Sequence, residues 1–203
     1  MAVITISRQF GAGGKTLGKM ISEHLGYTFA DSDVIQRIAK EANVSKDWVQ
    51  SFEKEAGSRI SRLISSMVSQ RWIDRVLANE RGYLDEKIYL DYLVLIIAQI
   101  GEEGNTVVLG RGSQYILDDH PDAYHILLLD ELDNRIKFMT ENYNLSEKRA
   151  ERVVLAEDKR RKNLYSQLRK KDFDDPGLYH LVLNMSRLSL TKAMDLVCRL
   201  VAD

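Results

Sequence analysis

Cysteine and proline are both scarce in this sequence. Cys198 is the single cysteine among 203 residues, so no disulfide can form within the chain. It stands in the largely apolar stretch Met194–Val201, which predicts a buried thiol rather than a nucleophile. The two prolines, Pro121 and Pro176, fall in predicted loops, each before a predicted strand. We therefore expect the fold to depend on an apolar core, without covalent cross-links.

A charge excess of either sign is also missing. The 29 Lys and Arg residues nearly balance the 30 Asp and Glu residues, and the formal net charge is −1. A general nucleic-acid binder carries a basic excess, so this balance predicts that nucleic acid is not a partner.

Long apolar runs are absent as well. The longest such stretch, Tyr89–Ile100, contains Asp91 and Gln99 and is too short to span a bilayer. The first residues, MAVITIS, have neither the charged region nor the long apolar region of a signal peptide. We expect a cytoplasmic protein without a membrane partner.

What the sequence does contain is an alternation of short β-branched apolar stretches and helical patterns. The length and the 44% share of hydrophobic residues predict a single globular domain. Strands separated by helices predict an α/β fold with a parallel sheet between two helical layers, a three-layer α/β/α arrangement. The predicted strands are Ala2–Ser7, Tyr27–Ala30, Thr106–Leu109, Ala123–Leu129 and Leu181–Asn184.

Helical patterns fill the rest of the chain. Those that alternate with the strands are Lys15–Leu25, Leu132–Glu141, Ser146–Lys170 and Leu190–Val201. Four more lie between the second and third strands: Asp33–Ala42, Ser45–Ala56, Arg59–Ala78 and Asp85–Gly101. This is more helix than a simple crossover needs, so we predict a helical insertion that covers one end of the sheet. The apolar stripe of Arg59–Ala78 is predicted to pack in the core, with a homodimer contact as the alternative.

The N-terminal segment ISRQFGAGGKTLGKMI has the pattern of a phosphate-binding loop. A β-branched strand, a glycine-rich turn and a helix follow one another, which is the context such a loop requires. Gly14, Lys15 and Thr16 match the end of the G-x-x-x-x-G-K-[ST] motif, while Gln9 stands in place of its first glycine. The segment Gly11-Ala12-Gly13-Gly14 lets successive N–H groups point at phosphate oxygens. In this interpretation Lys15 bridges the outer phosphates of ATP and the Thr16 hydroxyl binds Mg²⁺.

Two carboxylates follow the second predicted strand. Asp31 and Asp33 come directly after Phe29-Ala30, at the sheet edge where the phosphate loop is expected. They are candidates for holding a Mg²⁺-bound water, for binding a hydroxyl group of the acceptor substrate, or for accepting the proton of the attacking oxygen. For Asp33, capping of the next helix is an equal alternative.

Arginines are the other candidates for phosphate binding. Arg111 follows the third strand between two glycines, a position suited to gripping a phosphate with both guanidinium arms rather than to packing in the core. A surface salt bridge is the alternative role. Most of the basic stretch from Arg149 to Lys171 is expected to form a solvated face. Some of its cations are predicted to belong to a lid over the transferred group. Within it, Asp158 and Arg161 are one helical turn apart and are predicted to pair.

Taken in order, these features resemble the cytidylate kinase-like branch of the nucleoside monophosphate kinases. The shared features are the loop, DSD after strand two, the helical insertion, VVLGRGSQYILDDHPDAYHILL, a basic D-x-x-R segment and LNMSRLSL. The resemblance implies a five-stranded sheet of order 2-3-1-4-5 in one P-loop kinase domain. Its parts would be a core (1–32, 104–144 and 178–203), a monophosphate-binding insertion (33–103) and a lid (about 145–177).

The resemblance also implies residue roles and a reaction. Lys15 and Thr16 would serve ATP and Mg²⁺, Arg111 would hold the acceptor monophosphate, and Asp158 and Arg161 would belong to the lid. The implied activity is transfer of the γ-phosphoryl group of ATP to a nucleoside monophosphate, CMP or dCMP.

Three departures from the family pattern bear on the acceptor. The loop reads RQFGAGGK where cytidylate kinases have GPAGAGKG or a close variant, Gly112 replaces an aspartate, and Val154 stands where an arginine is usual. Two other functions therefore stay open. One is a kinase of another small molecule, similar to shikimate kinase or dephospho-coenzyme A kinase. The other is a nucleotide-binding protein that has lost catalysis.

Overall fold

The computed structural model describes residues 1–31, 86–168 and 170–202, and within these ranges it contains one parallel five-stranded sheet. The strand order is β2-β3-β1-β4-β5, so the first strand lies at the centre, between β3 and β4. The strands are β1 (Val3–Arg8), β2 (Thr28–Ala30), β3 (Thr106–Leu109), β4 (Ala123–Leu129) and β5 (Leu181–Asn184). The predicted α/β fold class, its strand order and its five strands are confirmed.

Six α-helices and one 3₁₀ turn accompany the sheet in the described ranges. They are α1 (Gly14–Leu25), α2 (Glu86–Glu103), α3 (Ser113–Ile116), α4 (Leu132–Tyr143), α5 (Glu147–Gln167), the 3₁₀ turn Pro176–Leu178 and α6 (Leu190–Ala202). The sequence did not predict α3, because four residues are too few to show a helical period. The helix predicted over Ser146–Lys170 is shorter than expected and ends at Gln167.

One face of the sheet packs against α1 and α6. Ile4 and Ile6 of β1 are fully buried there, in one apolar cluster with Leu17 and Ile21 of α1. Cys198 of α6 belongs to the same cluster and is buried as predicted, and this burial raises the pKa of its thiol. The cluster packs α1 and α6 against the central strand.

The opposite face carries α2, α3 and several buried polar groups. Leu93 and Ile97 of α2 have no exposed surface, and α2 packs on β3 and α3. In mid-sheet, Oγ1 of Thr5 lies 2.8 Å from Nδ1 of His125. Burial, reinforced by the charge of His180, lowers the pKa of His125 to about 4. The His125 ring is therefore neutral at physiological pH.

Several predictions lie outside the described residues. These are Asp33 and the helices predicted over Asp33–Ala42, Ser45–Ala56 and Arg59–Ala78, and with the last of them the suggested homodimer contact. The division into core, insertion and lid stays a prediction. In the described part of the chain, no helix combines the length and the apolar character needed to cross a bilayer.

Candidate active site

The carboxyl ends of β1, β2 and β3 bring the predicted site residues to one edge of the sheet. Because these strands are parallel and adjacent, the segments that follow them lie side by side. Residues 9–13 follow β1, Asp31 follows β2, and Gly110-Arg111-Gly112 follows β3. The sheet topology therefore brings together in space three segments that are far apart in the sequence.

The loop after β1 turns on two glycines with left-handed backbone. Gly11 has a φ of 89° and Gly13 a φ of 79°. A Cβ atom on Gly11 would lie 2.9 Å from the carbonyl oxygen of Arg135, so a larger residue does not fit without a backbone shift. Helix α1 begins at Gly14, and no side chain caps it. The first N–H groups of a helix have no partner within the helix, so this turn can bind an anion.

Lys15 and Asp31 form an ion pair beside this loop. The ammonium nitrogen of Lys15 lies 2.8 Å from Oδ2 of Asp31, and the two side chains are 44% and 11% exposed. The neighbouring Thr16 side chain is exposed. The pair links the first turn of α1 to the end of β2.

A cavity of about 240 Å³ opens over the loop. Arg8, Lys15, Thr16 and Asp31 line it together with the loop glycines. Its apolar wall comes from α4, through Phe138, Met139 and Tyr143. A cavity with backbone N–H groups and cations on one side and aromatic rings on another suits a ligand with both phosphate and ring portions.

Arg111 sits in strained backbone at the end of β3. Its φ is 60°, and Gly110 and Gly112 on either side have φ values of 72° and 74°. A non-glycine residue in this conformation costs free energy, and such strain concentrates at functional sites. The Nε atom of Arg111 is buried and has no hydrogen-bond partner within the described ranges.

Two further arginines, Arg8 and Arg161, join Arg111; we call these three residues the arginine cluster. Burial and, to a smaller extent, the nearby positive charges of Arg161 and Arg111 together lower the pKa of Arg8 to about 10, against the opposing effects of Tyr165 and Glu157. A guanidinium group at this pKa is still charged at neutral pH. The cluster therefore concentrates positive charge between the ends of β1 and β3.

Arg161 is held rigidly on α5. Both of its terminal nitrogens donate to Asp174, at 2.5 and 3.1 Å, and Nη2 also donates to Oγ of Ser7 at 3.0 Å. Its guanidinium carbon lies 4.7 Å from the ring centre of Phe173 and 5.3 Å from that of Tyr165. Burial acts to lower the pKa of Arg161, but the hydrogen bonds and charge of Asp174 outweigh it and the pKa is raised.

The predicted pair of Asp158 with Arg161 is wrong, because each residue has a nearer partner on another element. Oδ2 of Asp158 accepts from Nη1 of Arg135 on α4 at 2.7 Å. Oδ1 of Asp158 accepts from the backbone N–H of Phe10 at 3.2 Å, and the carbonyl oxygen of Phe10 accepts from Arg135. Asp158 thus fastens α5 to the phosphate loop, away from Arg161.

Sequence reasoning missed Arg8, Arg135 and Asp174. A signal existed for Arg8, because it is a charged residue at the end of a buried central strand, directly before the glycines. Arg135 and Asp174 stand among other charged residues in a helical and a loop pattern, where a buried ion pair cannot be told from a solvated face.

The sheet order and the phosphate loop after the central strand define a P-loop kinase fold. The chain belongs to the cytidylate kinase-like family, whose model matches residues 3–187. The suspected family is thereby confirmed, and with it a kinase-like phosphotransferase that acts on a small-molecule acceptor.

Solved structures share this fold at low sequence identity. An uncharacterized protein from Eubacterium ventriosum is 20% identical over 99% of this chain and 98% of its own, with a TM-score of 0.69. A gluconokinase from Sinorhizobium meliloti is 13% identical over 99% of this chain and 94% of its own, with a TM-score of 0.50. No curated protein matches the chain.

Proposed function

We propose that this protein transfers the γ-phosphoryl group of ATP to a nucleoside monophosphate, with CMP or dCMP as the preferred acceptor. The observation that carries the proposal is the placement of an uncapped helix start and a cluster of three arginines at one edge of the sheet. Such a site offers two separate places for anions, one for the donor phosphates and one for the acceptor phosphate.

The donor side is formed by the glycine-rich loop. The N–H groups of Gly14, Lys15 and Thr16 at the start of α1 would bind phosphate oxygens, and the ammonium of Lys15 would neutralise the outer phosphates. The aromatic rings of Phe138 and Tyr143 line the same cavity and would contact the base.

Oxygen ligands suited to Mg²⁺ stand beside the loop. The Thr16 hydroxyl and the Asp31 carboxylate are hard oxygen donors of the kind that Mg²⁺ prefers, and both line the cavity. When bound there, Mg²⁺ would neutralise charge on the phosphates of ATP.

The acceptor side is formed by the arginine cluster. Arg111, in its strained position after β3, would hold the acceptor phosphate with the planar donor fork of its guanidinium group. Arg161 would contact the transferred group from α5. Asp158 would act indirectly by positioning the loop through Phe10.

These residues would assist the transfer by orientation and charge neutralisation. A new bond forms between an acceptor phosphate oxygen and the γ-phosphorus, the bond from phosphorus to the β–γ bridging oxygen breaks, and its electron pair stays on ADP. Because the acceptor oxygen is already anionic, no side chain has to remove a proton.

The direct test is the formation of ADP from ATP and Mg²⁺ with a panel of acceptors: nucleoside monophosphates, shikimate and dephospho-coenzyme A. We expect the fastest turnover with CMP or dCMP, and a loss of about 100-fold or more in Lys15→Ala. Lys19→Ala, on the exposed side of the same helix, is the matched control and should retain activity.

Two results would overturn the proposal. Faster turnover with shikimate or dephospho-coenzyme A would place the chain among other small-molecule kinases. Tight ATP binding without turnover on any acceptor would identify a catalytically degenerate member of the family.

A further inference from the structure

The side chain of Arg8 crosses the space between the phosphate loop and Arg111. A Cβ atom placed on Gly14 would lie 2.9 Å from Cγ of Arg8, and one placed on Gly110 would lie 2.1 Å from its Nη1. The side chain therefore runs from the end of β1 over the first residue of α1 to the end of β3. Glycine at 14 and at 110 is what leaves room for it.

Arg8 also differs from the other cations of the site in its partners. Lys15, Arg135 and Arg161 each form an ion pair with a carboxylate. No carboxylate in the described part of the chain forms such a pair with Arg8. The carboxylate of Glu157 raises the pKa of Arg8 only as the smallest of the named effects, and that carboxylate is bound to Arg160. The positive charge of Arg8 is thus uncompensated in a largely buried position.

The guanidinium nitrogens of Arg8 are nevertheless accessible. Arg8 lines the cavity over the phosphate loop, and its nitrogens are absent from the buried, unpartnered polar atoms of the described residues. A charged group that is desolvated, unpaired and open to a cavity is expected to bind an anion there.

Lys15 is anchored at a different strand end. Its ammonium is tied to Asp31 at the end of β2, whereas Arg8 points to the end of β3, where Arg111 lies. Arg8 is therefore the cation that lies between the phosphate loop and Arg111.

We propose that Arg8 is a catalytic residue whose guanidinium contacts the phosphoryl group as it moves from ATP to the acceptor. This inference rests on the proposed function. In this arrangement Lys15 contacts the donor phosphates and Arg111 contacts the acceptor phosphate. Arg8 neutralises the negative charge on the equatorial oxygens of the phosphoryl group during its transfer. It forms no bond and transfers no proton.

The test compares Arg8→Gln with wild type in ADP formation and in separate equilibrium binding of ATP and ADP. We expect Arg8→Gln to reduce turnover by about 100-fold or more, because it removes a charged donor from the transferred group. Binding of ADP should stay near the wild-type affinity, since ADP lacks the γ-phosphoryl group, while ATP should bind more weakly. Lys19→Gln, an exposed cation of α1, is the control for loss of charge and should behave as wild type.

The outcomes separate this inference from the proposed function. If wild type turns over and a folded Arg8→Gln retains its rate, the role of Arg8 is overturned and the function stands. If the wild-type protein turns over no acceptor, the proposed function is wrong, and the nucleotide-binding data alone test whether Arg8 contacts the γ-phosphoryl group. A selective loss of ATP affinity supports contact with the γ-phosphoryl group, while equal loss of both nucleotides or of neither overturns it.

Arg8→Lys covers the case in which Arg8→Gln does not fold. It keeps the positive charge but loses the planar fork of donors. We expect a turnover between those of wild type and of the Lys15→Ala variant, with unchanged ADP affinity. A turnover equal to that of wild type would overturn the proposed guanidinium contact.

Discussion

The phosphate loop and the arginine cluster lie at the same edge of the sheet but differ in how they are built. The loop is one continuous segment whose cation, Lys15, is 44% exposed and paired with Asp31. The cluster draws its three arginines from β1, from the segment after β3 and from α5, and only Arg161 has a carboxylate partner in the described part of the chain. The local sequence therefore forms one anion site here, whereas tertiary packing forms the other.

The variant with the largest expected effect tests whether the arginine cluster takes part in phosphoryl transfer. We expect Arg161→Ala to reduce turnover by about 100-fold, because Arg161 would stabilise charge that develops in the transition state. The measurement is ADP formation at saturating ATP, accompanied by ATP binding, which should change little.

The adjacent Arg160 is the matched control for that variant. Its side chain is 76% exposed and pairs with Glu157, so Arg160→Ala should keep its turnover. Similar activities in the two variants would show that Arg161 takes no part in the reaction.

The variant with the second-largest expected effect tests whether the phosphate loop requires glycine at position 11. Gly11→Ala should lower the free energy of unfolding by about 2–3 kcal/mol, because it adds a methyl group against the backbone of Arg135 in a left-handed conformation. Urea denaturation measures this loss, and ATP affinity should fall as well.

Gly26→Ala provides the comparison at the other end of α1. Gly26 has a φ of 68°, but nothing lies within 4 Å of an added Cβ, so only about 1 kcal/mol of backbone strain is expected. Equal losses in the two variants would mean that the close approach of Arg135 does not constrain the loop.

The variant with the smallest expected effect tests the ion pair between Arg161 and Asp174. Asp174→Asn should destabilise the protein by about 1–2 kcal/mol, since it weakens two charge-assisted hydrogen bonds to Arg161, and the 38% exposure of Asp174 limits the effect. Glu157→Gln removes a carboxylate from an exposed pair and should cost less than about 0.5 kcal/mol. Thermal unfolding of both variants decides whether the pair stabilises the fold more than a surface pair does.

The strands and the phosphate loop were predictable because their signals are local. Hydrophobic alternation, glycine positions and the following helix all lie within about ten residues of one another. The position of Arg111 at the end of β3 was predictable for the same reason, since the residue stands between two glycines directly after a strand.

The partners of the charged side chains were not predictable. Asp158 and Arg161 are neighbours on α5, and their spacing alone suggested an ion pair. The structure separates them because Arg135 and Phe10 lie near Asp158, while Asp174 and Ser7 lie near Arg161. Which of two possible ion pairs forms depends on which elements pack together, and that information is spread over the whole chain.

By itself, the sequence determined the α/β class, the order of strands and helices along the described chain, and a phosphate loop at the end of the first strand. These depend on periodicity and on glycine, whose effects extend over a few residues. Only the tertiary structure showed that Arg8, Arg111 and Arg161 lie close together and that Asp158 holds the loop. It also showed that Arg8, unlike Lys15, Arg135 and Arg161, has no carboxylate partner among the described residues. Parallel pairing brings distant strand ends to one edge, and electrostatic interactions among buried groups there depend on distance in space, not on separation in sequence.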